Sequence, residues 1–249
     1  MIRLVLLLIT FASPSFAEEI VLGLSRDSVA ITATFEGSDI LVFGAIKREE
    51  PIPRTNDLGV IVTVTGPDTP VTVRRKERKL GIWVNSEAVE VDAAPSFYAV
   101  ATSGRMMDVL QDTEDLRNRI TIDRSIRSVG SVVSNSPEFT RALIRIRAGA
   151  GLYQVLEGAV DVEEQTLFRT AIELPANLTE GDYRARIFLT RNGQVVDEYV
   201  TTIPVAKVGL ERWLYNTAHN QAPLYGLMSL AIAIAAGWTA SAAFSLLRR

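Results

Sequence analysis

The stretch LPANLTEGDYRARIFLTRNGQVVDEYV, residues 174–200, decides the fold that we predict. Apolar and polar residues alternate in its second third, as they do in a strand with one buried face. The apolar face consists of Tyr183, Ala185, Ile187 and Leu189, and the opposite face of Arg184, Arg186, Phe188 and Thr190. Asn192-Gly193 then supplies the two-residue turn that β-hairpins prefer. The stretch therefore predicts two antiparallel strands, 183–190 and 195–205.

The start of this stretch is also informative. Leu174-Pro175 is followed by Glu180-Gly181-Asp182-Tyr183. This pattern resembles the tyrosine corner that opens strand F of immunoglobulin-like and fibronectin-like sandwiches, where a tyrosine hydroxyl fixes the corner. The alternative is the ordinary start of a hairpin. The resemblance favours a mainly β protein with an immunoglobulin-like β-sandwich ectodomain.

Short β-rich runs with turn residues between them extend in both directions from the hairpin. Glu36-Gly37-Ser38-Asp39 predicts a hairpin turn between two of these runs, and Gly66-Pro67-Asp68 predicts a second turn. Even spacing of this kind is typical of a sandwich, in one lobe or two. The further predicted strands are 20–24, 29–35, 40–46, 60–65, 71–75, 81–85, 97–102, 160–162 and 167–174.

Helical spacing replaces strand alternation in the middle of the chain. Apolar residues at Met106, Val109, Leu110, Leu116 and Ile120 predict a helical segment in an acidic background. A second helix over 136–150 has stronger signals. Ser136 can cap it and Pro137 suits its first position, with an apolar stripe at Phe139, Leu143, Ile146 and Ala150.

The two ends of the chain predict its topology. Residues 1–17 combine Arg3, an apolar run and a small-residue site ending at Ala17, as in a cleaved signal peptide. Residues 224–247 carry no charge, and a helix of that length spans about 36 Å, enough to cross a bilayer. Arg248 and Arg249 would then lie in the cytoplasm. The predicted order is signal peptide 1–17, β-sandwich lobe 18–102, mainly helical segment 103–150, second β lobe or completion of the sandwich 151–208, juxtamembrane segment 209–223, transmembrane helix 224–247 and cytoplasmic tail 248–249.

Small residues recur every fourth position of the predicted transmembrane helix and would form one stripe. They are Ser229, Ala233, Gly237, Ser241 and Ser245. Such stripes let helices approach closely in lipid, so we predict helix packing with a membrane protein partner or self-association. Composition alone is the alternative, because 13 of the 24 residues are Gly, Ala, Ser or Thr.

Charge and residue types exclude several classes of function. Without Arg3, Arg248 and Arg249, 23 basic residues face 29 acidic ones, which disfavours nucleic acid as a partner. The chain has no cysteine and one histidine, His219, so thiolate catalysis, a histidine triad and a His-rich metal site within one chain are excluded. We expect a noncatalytic protein without cofactor or metal.

One basic cluster interrupts the acidic background: Arg74, Arg75, Lys76, Arg78 and Lys79, broken by Glu77. Arginines offer forked donors to anions, so Arg74, Arg75 and Arg78 are candidate ligand-binding residues. The alternative is a charged hairpin that blocks edge-to-edge aggregation.

Several segments resemble a known family. The runs 71–78 (VTVRRKER), 81–85 (GIWVN) and 95–103 (PSFYAVATS), the segment 181–196 and the terminal apolar helix are similar to the Alph_Pro_TM family of alphaproteobacterial transmembrane proteins. The resemblance implies an inner-membrane protein with a periplasmic domain. It implies no activity, cofactor or catalytic residue, and at most a transporter as partner.

Together these observations predict a single-pass inner-membrane protein that acts as an accessory or assembly partner of an integral membrane protein such as a transporter. The alternative is a periplasmic ligand-binding module in which the basic cluster captures a small anion.

Overall fold

The computed structural model describes residues 18–25, 28–31, 37–48, 58–127, 136–207 and 210–247. The predicted signal peptide and the final two arginines lie outside these residues. The described strands are β1 (Glu18–Leu24), β2 (Val29–Ile31), β3 (Gly37–Arg48), β4 (Leu58–Thr65), β5 (Asp68–Lys79), β6 (Ile82–Pro95), β7 (Tyr98–Thr102), β8 (Tyr153–Leu156), β9 (Asp161–Glu163), β10 (Leu167–Pro175), β11 (Gly181–Arg191) and β12 (Gln194–Lys207). The described helices are α1 (Met106–Val109), α2 (Asp112–Asn118), α3 (Ile122–Ser125), α4 (Ser136–Gly149), α5 (Leu210–Asn220) and α6 (Ala222–Leu247).

The structure is mainly β, with a helical segment in the middle of the chain and one apolar helix at its C-terminal end. A four-stranded antiparallel sheet has the order β1-β3-β10-β9. A six-stranded sheet has the order β2-β12-β11-β4-β7-β8, in which β2–β12 and β7–β8 are parallel pairs. Both sheets contain strands from before and after the helical segment. Both parts of the chain therefore build the same layers.

The two sheets enclose one apolar core. Ile40 and Val42 of β3 and Ile172 of β10 face Val62 of β4 and Ile187 of β11, and all five are buried. Tyr183, Ala185, Ile187 and Leu189 belong to this core, which confirms the buried face predicted from their alternation. Asn192 and Gly193 adopt φ angles of 50° and 76° at the β11–β12 connection, which confirms the predicted Asn-Gly turn.

A second apolar cluster covers the outer face of the six-stranded sheet. Ile61, Tyr98 and Phe188 project from that face, opposite the core between the sheets. They belong to one buried cluster with residues of the β5–β6 hairpin and the helical segment: Val73, Val89, Val91, Ile122, Phe139 and Leu143. The central strand β4 is therefore buried on both faces, which explains its nearly continuous apolar sequence.

The prediction of a single helical segment with the stripe Met106 to Ile120 was wrong in detail. Three short helices, α1, α2 and α3, take its place, and Leu116 is exposed. The chain extends at Leu110 and Gln111 because the β11–β12 turn binds it there. The Gln111 amide donates to the Gly193 carbonyl at 2.9 Å, and the Gln111 side chain donates to the Asn192 carbonyl at 2.8 Å. These tertiary contacts override the local helical pattern.

Helix α4 confirms the predicted second helix. Phe139 and Leu143 are buried in the outer cluster, whereas Ile146 and Ala150, the other predicted members of the stripe, are exposed. The helix packs against β5, β6, β8 and α3, and only the first half of the predicted stripe is buried by these contacts.

The predicted hairpin turn at residues 36–39 was also wrong. Strand β2 pairs with β12 in one sheet, while β3 pairs with β1 and β10 in the other. Strands β2 and β3 therefore lie in different sheets, and their buried residues Val29 and Ile40 belong to the same core. The predicted strands 71–75 and 81–85 lie within the longer hairpin β5–β6. Strand β8 and helix α5 were not predicted from the sequence.

Candidate functional site

The outer face of the four-stranded sheet carries a group of exposed apolar side chains. Val21 of β1, Ala45 of β3 and Leu167 of β10 lie directly across from one another. Phe43 lies in the next row, opposite Arg169, and the Leu41–Ala171 pair lies in the row after it. Val21, Phe43 and Leu167 are 51%, 43% and 52% exposed. We call the group Val21, Leu41, Phe43, Ala45, Leu167 and Ala171 the sheet patch.

A glycine shapes the centre of the sheet patch. Gly23 lies opposite Phe43, and a Cβ atom placed on Gly23 would lie 2.5 Å from the Phe43 ring. The ring therefore rests on the bare backbone of β1 in the space that a side chain would occupy. This packing makes the patch flatter and holds the ring in place.

Charged side chains share this face with the sheet patch. Lys47 contacts Glu19 at 3.0 Å at one end of the patch. Arg169 lies opposite Phe43 within the patch, and it contacts Asp161 at 3.5 Å and Glu163 at 3.3 Å toward β9. Aromatic and arginine side chains are enriched in protein–protein interfaces.

The sequence contains a signal for the sheet patch that the strand prediction did not use. Residues 40–46 (ILVFGAI) are apolar on both faces of β3, although in the structure only one face of this strand is covered. A strand of this kind must either be enclosed by two layers or present an apolar surface to solvent. Which of the two applies depends on the position of the helical segment, which covers the other sheet.

The structure separates the three arginines proposed as an anion site. Successive side chains on β5 point to opposite faces, so Arg75 lies on one face of the β5–β6 hairpin and Arg74 and Arg78 on the other. Arg75 contacts Glu87 at 3.2 Å and Glu138 at 2.5 Å, and its guanidinium lies 5.2 Å from the centre of the Phe139 ring. Arg75 therefore fastens the hairpin to α4, and its charge is already balanced.

Helix α6 is apolar and lies outside the packed core. Residues 222–241 form a candidate membrane span, and none of the most apolar part of this span is buried. Ser229, Ala233, Gly237 and Ser241 are exposed along it, and a Cβ atom on Gly237 would meet nothing within 4 Å. The side chain of Ser245, the last residue of the predicted stripe, lies outside the described residues.

His219 has a local structural role. Its ring stacks on Tyr215 with 4.0 Å between the ring centres, and its Nδ1 atom lies 3.0 Å from the Tyr215 carbonyl oxygen. In the part of the chain that the structure describes, no three His, Cys, Asp or Glu residues group as metal ligands.

Three buried tyrosines have raised pKa values, and each hydroxyl donates a structural hydrogen bond. Burial raises the pKa of Tyr98, Tyr153 and Tyr183 above that of a free phenol. Their hydroxyls donate to the carbonyls of Ile120 at 2.6 Å, Pro95 at 2.8 Å and Thr179 at 2.9 Å. The Tyr183 bond reaches back four residues, which is the contact expected of a tyrosine corner. These phenols hold the fold and stay protonated at neutral pH.

A cleft of about 750 Å³ opens beside α1 and β9. Its two carboxylates, Asp108 and Asp161, are each held by an arginine: Arg105 contacts Asp108 at 2.8 Å, and Arg169 contacts Asp161 at 3.5 Å. Both acids are therefore engaged in ion pairs.

Comparison with protein families identifies the chain. The profile of a family described as "Putative transmembrane protein (Alph_Pro_TM)" matches residues 19–246. The chain belongs to this family. The match covers both sheets, the helical segment and nearly all of α6, so the β-rich part and the candidate span of this Alph_Pro_TM protein belong to one family unit. The comparison with curated proteins found no match.

Proposed function

We propose that this Alph_Pro_TM protein is a noncatalytic accessory or assembly partner of an integral membrane protein such as a transporter. The sheet patch carries this proposal, because it is a group of exposed apolar side chains, with Arg169 among them, on a sheet face that no other described element covers. Surfaces of this kind on soluble domains mark interaction sites. Helix α6 keeps the domain at the membrane, where an integral membrane partner is the nearest candidate.

We further propose an immunoglobulin-like sandwich in the periplasm, anchored in the inner membrane with a cytoplasmic C-terminus. The order β1-β3-β10-β9 corresponds to strands A-B-E-D, and β12-β11-β4 corresponds to G-F-C. The Tyr183–Thr179 hydrogen bond supports this correspondence. Arg248 and Arg249 after α6 support the orientation by the positive-inside rule.

Capture of a small anion by the basic cluster receives less support. Arg75 is occupied by Glu87 and Glu138, and it faces away from Arg74 and Arg78. A two-stranded ribbon also offers no concave wall, whereas small-molecule sites are mostly concave.

The proposal predicts that charge within the sheet patch abolishes capture of the partner. Full-length wild-type protein and a Leu41→Arg/Phe43→Arg variant are purified in mild detergent, and the proteins captured with them are compared by mass spectrometry. The control is Leu116→Arg, which changes an exposed leucine on α2, outside the patch. We expect a polytopic membrane protein with the wild type and the control, and at least a tenfold loss with the patch variant.

A reciprocal capture completes the test, in which the tagged membrane protein must recover the wild-type chain and not the patch variant. A second variant, Ala233→Leu/Gly237→Leu, separates the ectodomain from the stripe on α6. If the patch variant retains every captured membrane protein, docking through the sheet patch is wrong. If only the helix variant loses the partner, contact runs through lipid-embedded helices instead.

A further inference from the structure

The β5–β6 hairpin extends beyond the packed part of the protein. Val73 on β5 and its cross-strand partner Val89 are the last buried residues before the turn. Six further residues of β5 lead to its end at Lys79, which at the rise of a strand is roughly 20 Å of two-stranded ribbon. The tip therefore stands well away from the core, and its side chains do not contribute to folding by burial.

The tip of this ribbon is apolar. Leu80 is fully exposed, and Ile82 and Trp83 are 65% and 68% exposed. Leu80 and Gly81 form the turn with φ angles of 49° and 85°, a conformation that Asn-Gly adopts readily and that is unfavourable for leucine. Neither the backbone nor the packing of the ribbon favours a leucine at this position. An external apolar contact would account for it.

A cationic face lies directly behind the tip. Arg74, Lys76 and Arg78 share one face of β5, and Trp83 lies opposite Arg78 on the same face. Residues 74–79 carry five basic side chains against Glu77, whereas the whole chain has a net charge of -3. The ribbon is thus a cationic projection from an anionic protein.

We propose that the hairpin tip, Leu80 to Trp83, inserts into the interface of an anionic phospholipid bilayer, with Arg74, Lys76 and Arg78 against the lipid phosphates. Tryptophan and aliphatic side chains bind at the level of the headgroups, and clustered lysines and arginines are attracted to anionic lipid. The membrane that holds α6 supplies this surface at high effective concentration. The inference rests on membership of a transmembrane family and is independent of the sheet patch.

The chain has no cysteine, so a single thiol can report on the tip. Ile82→Cys in the full-length protein is labelled with an environment-sensitive fluorophore and reconstituted into nanodiscs of phosphatidylcholine with or without phosphatidylglycerol. Leu116→Cys, at another exposed aliphatic position, is the matched control. With phosphatidylglycerol we expect the emission of the fluorophore at position 82 to shift to the blue. We also expect nitroxide lipids to quench this fluorophore at least twofold more strongly than the one at position 116.

A charge variant tests the role of the cationic face. Arg74→Glu/Lys76→Glu/Arg78→Glu changes exposed residues, and it should bring the quenching at position 82 to the control level. High salt should lower the quenching at position 82 in the same way without the charge substitutions, because it screens the attraction to anionic lipid. This measurement remains informative if the charge variant does not fold. Equal quenching at positions 82 and 116 in both lipids would overturn the proposal. Quenching that is as strong in phosphatidylcholine alone would overturn the assignment to anionic lipid.

Discussion

Replacing Phe188 with alanine should lower the free energy of unfolding by about 4 kcal/mol, as is typical of a large buried aromatic side chain. Phe188 is fully buried on the outer face of the six-stranded sheet, within the cluster formed by the hairpin and the helical segment. The Arg186 guanidinium lies 4.5 Å from the centre of its ring. Truncation would leave a cavity between the sheet and the layer that covers it. The neighbouring residues are held by their own contacts and would fill this cavity only in part.

The matched control for this variant is Phe43→Ala, which removes the same atoms from the exposed sheet patch. We expect the control to lower the free energy of unfolding by only about 1 kcal/mol, because its ring is 43% exposed. Both variants are compared with the wild type by thermal and urea denaturation of the full-length protein in detergent, following the β-sheet circular dichroism signal. A similar small effect for both variants would mean that the helical segment does not pack on the sheet as described.

Replacing Asp115 with alanine should cost about 3 kcal/mol, because several buried donors lose a charged acceptor at once. One carboxylate oxygen of Asp115 accepts from the amides of Ile120 at 3.0 Å and Thr121 at 2.8 Å. The other oxygen accepts from the Thr121 hydroxyl at 2.7 Å. These bonds hold the turn after α2, where Arg119 has a φ angle of 52°. The same turn presents the Ile120 carbonyl to the Tyr98 hydroxyl.

Two variants distinguish loss of this network from a general effect of charge. Asp112→Ala removes an exposed acid from the same helix and should cost less than about 1 kcal/mol, mainly through the helix dipole. Asp115→Asn keeps one acceptor oxygen, so its loss in the free energy of unfolding should lie between those of Asp112→Ala and Asp115→Ala. Denaturation midpoints of the three variants give the order, and equal midpoints for Asp112→Ala and Asp115→Ala would rule out a structural role for the network.

Local patterns predicted those parts of the fold that depend on neighbouring residues in the chain. The alternation from Tyr183 to Leu189, the Asn192-Gly193 turn and helix α4 all follow from periods and turn preferences that act over a few residues. The apolar, uncharged sequence of α6 likewise predicted a long helix outside the core. In each case the short-range preference and the tertiary environment agree.

The wrong predictions concern places where a distant segment decides the local conformation. Strand β2 joins β12, some 170 residues further along the chain, although its own sequence was compatible with a hairpin to β3. Helix α1 ends at Val109, because the Gly193 carbonyl accepts the Gln111 amide just beyond the helix. A short stretch of sequence around either segment does not contain its distant partner, so local patterns could not predict these contacts.

The candidate site was harder to predict than the fold. The basic cluster drew attention as a run of like charges, but strand alternation places Arg75 and Arg78 on opposite faces. The sheet patch combines residues of β1, β3 and β10. Val21 and Leu167 are more than 140 positions apart in the sequence, and strand register alone brings them together. The sequence shows an apolar run at 40–46. Which face of this strand is exposed depends on which side of the sheet the rest of the protein packs against.

The most direct test of the proposed function is photo-crosslinking in cells from the centre of the sheet patch. A benzophenone amino acid replaces Phe43 in the full-length protein, and the control carries it in place of Leu116. We predict a crosslink from position 43 to one integral membrane protein, absent from position 116 and independent of added soluble ligands. Equal crosslinking from both positions, or none from position 43 to any membrane protein, would contradict the accessory role.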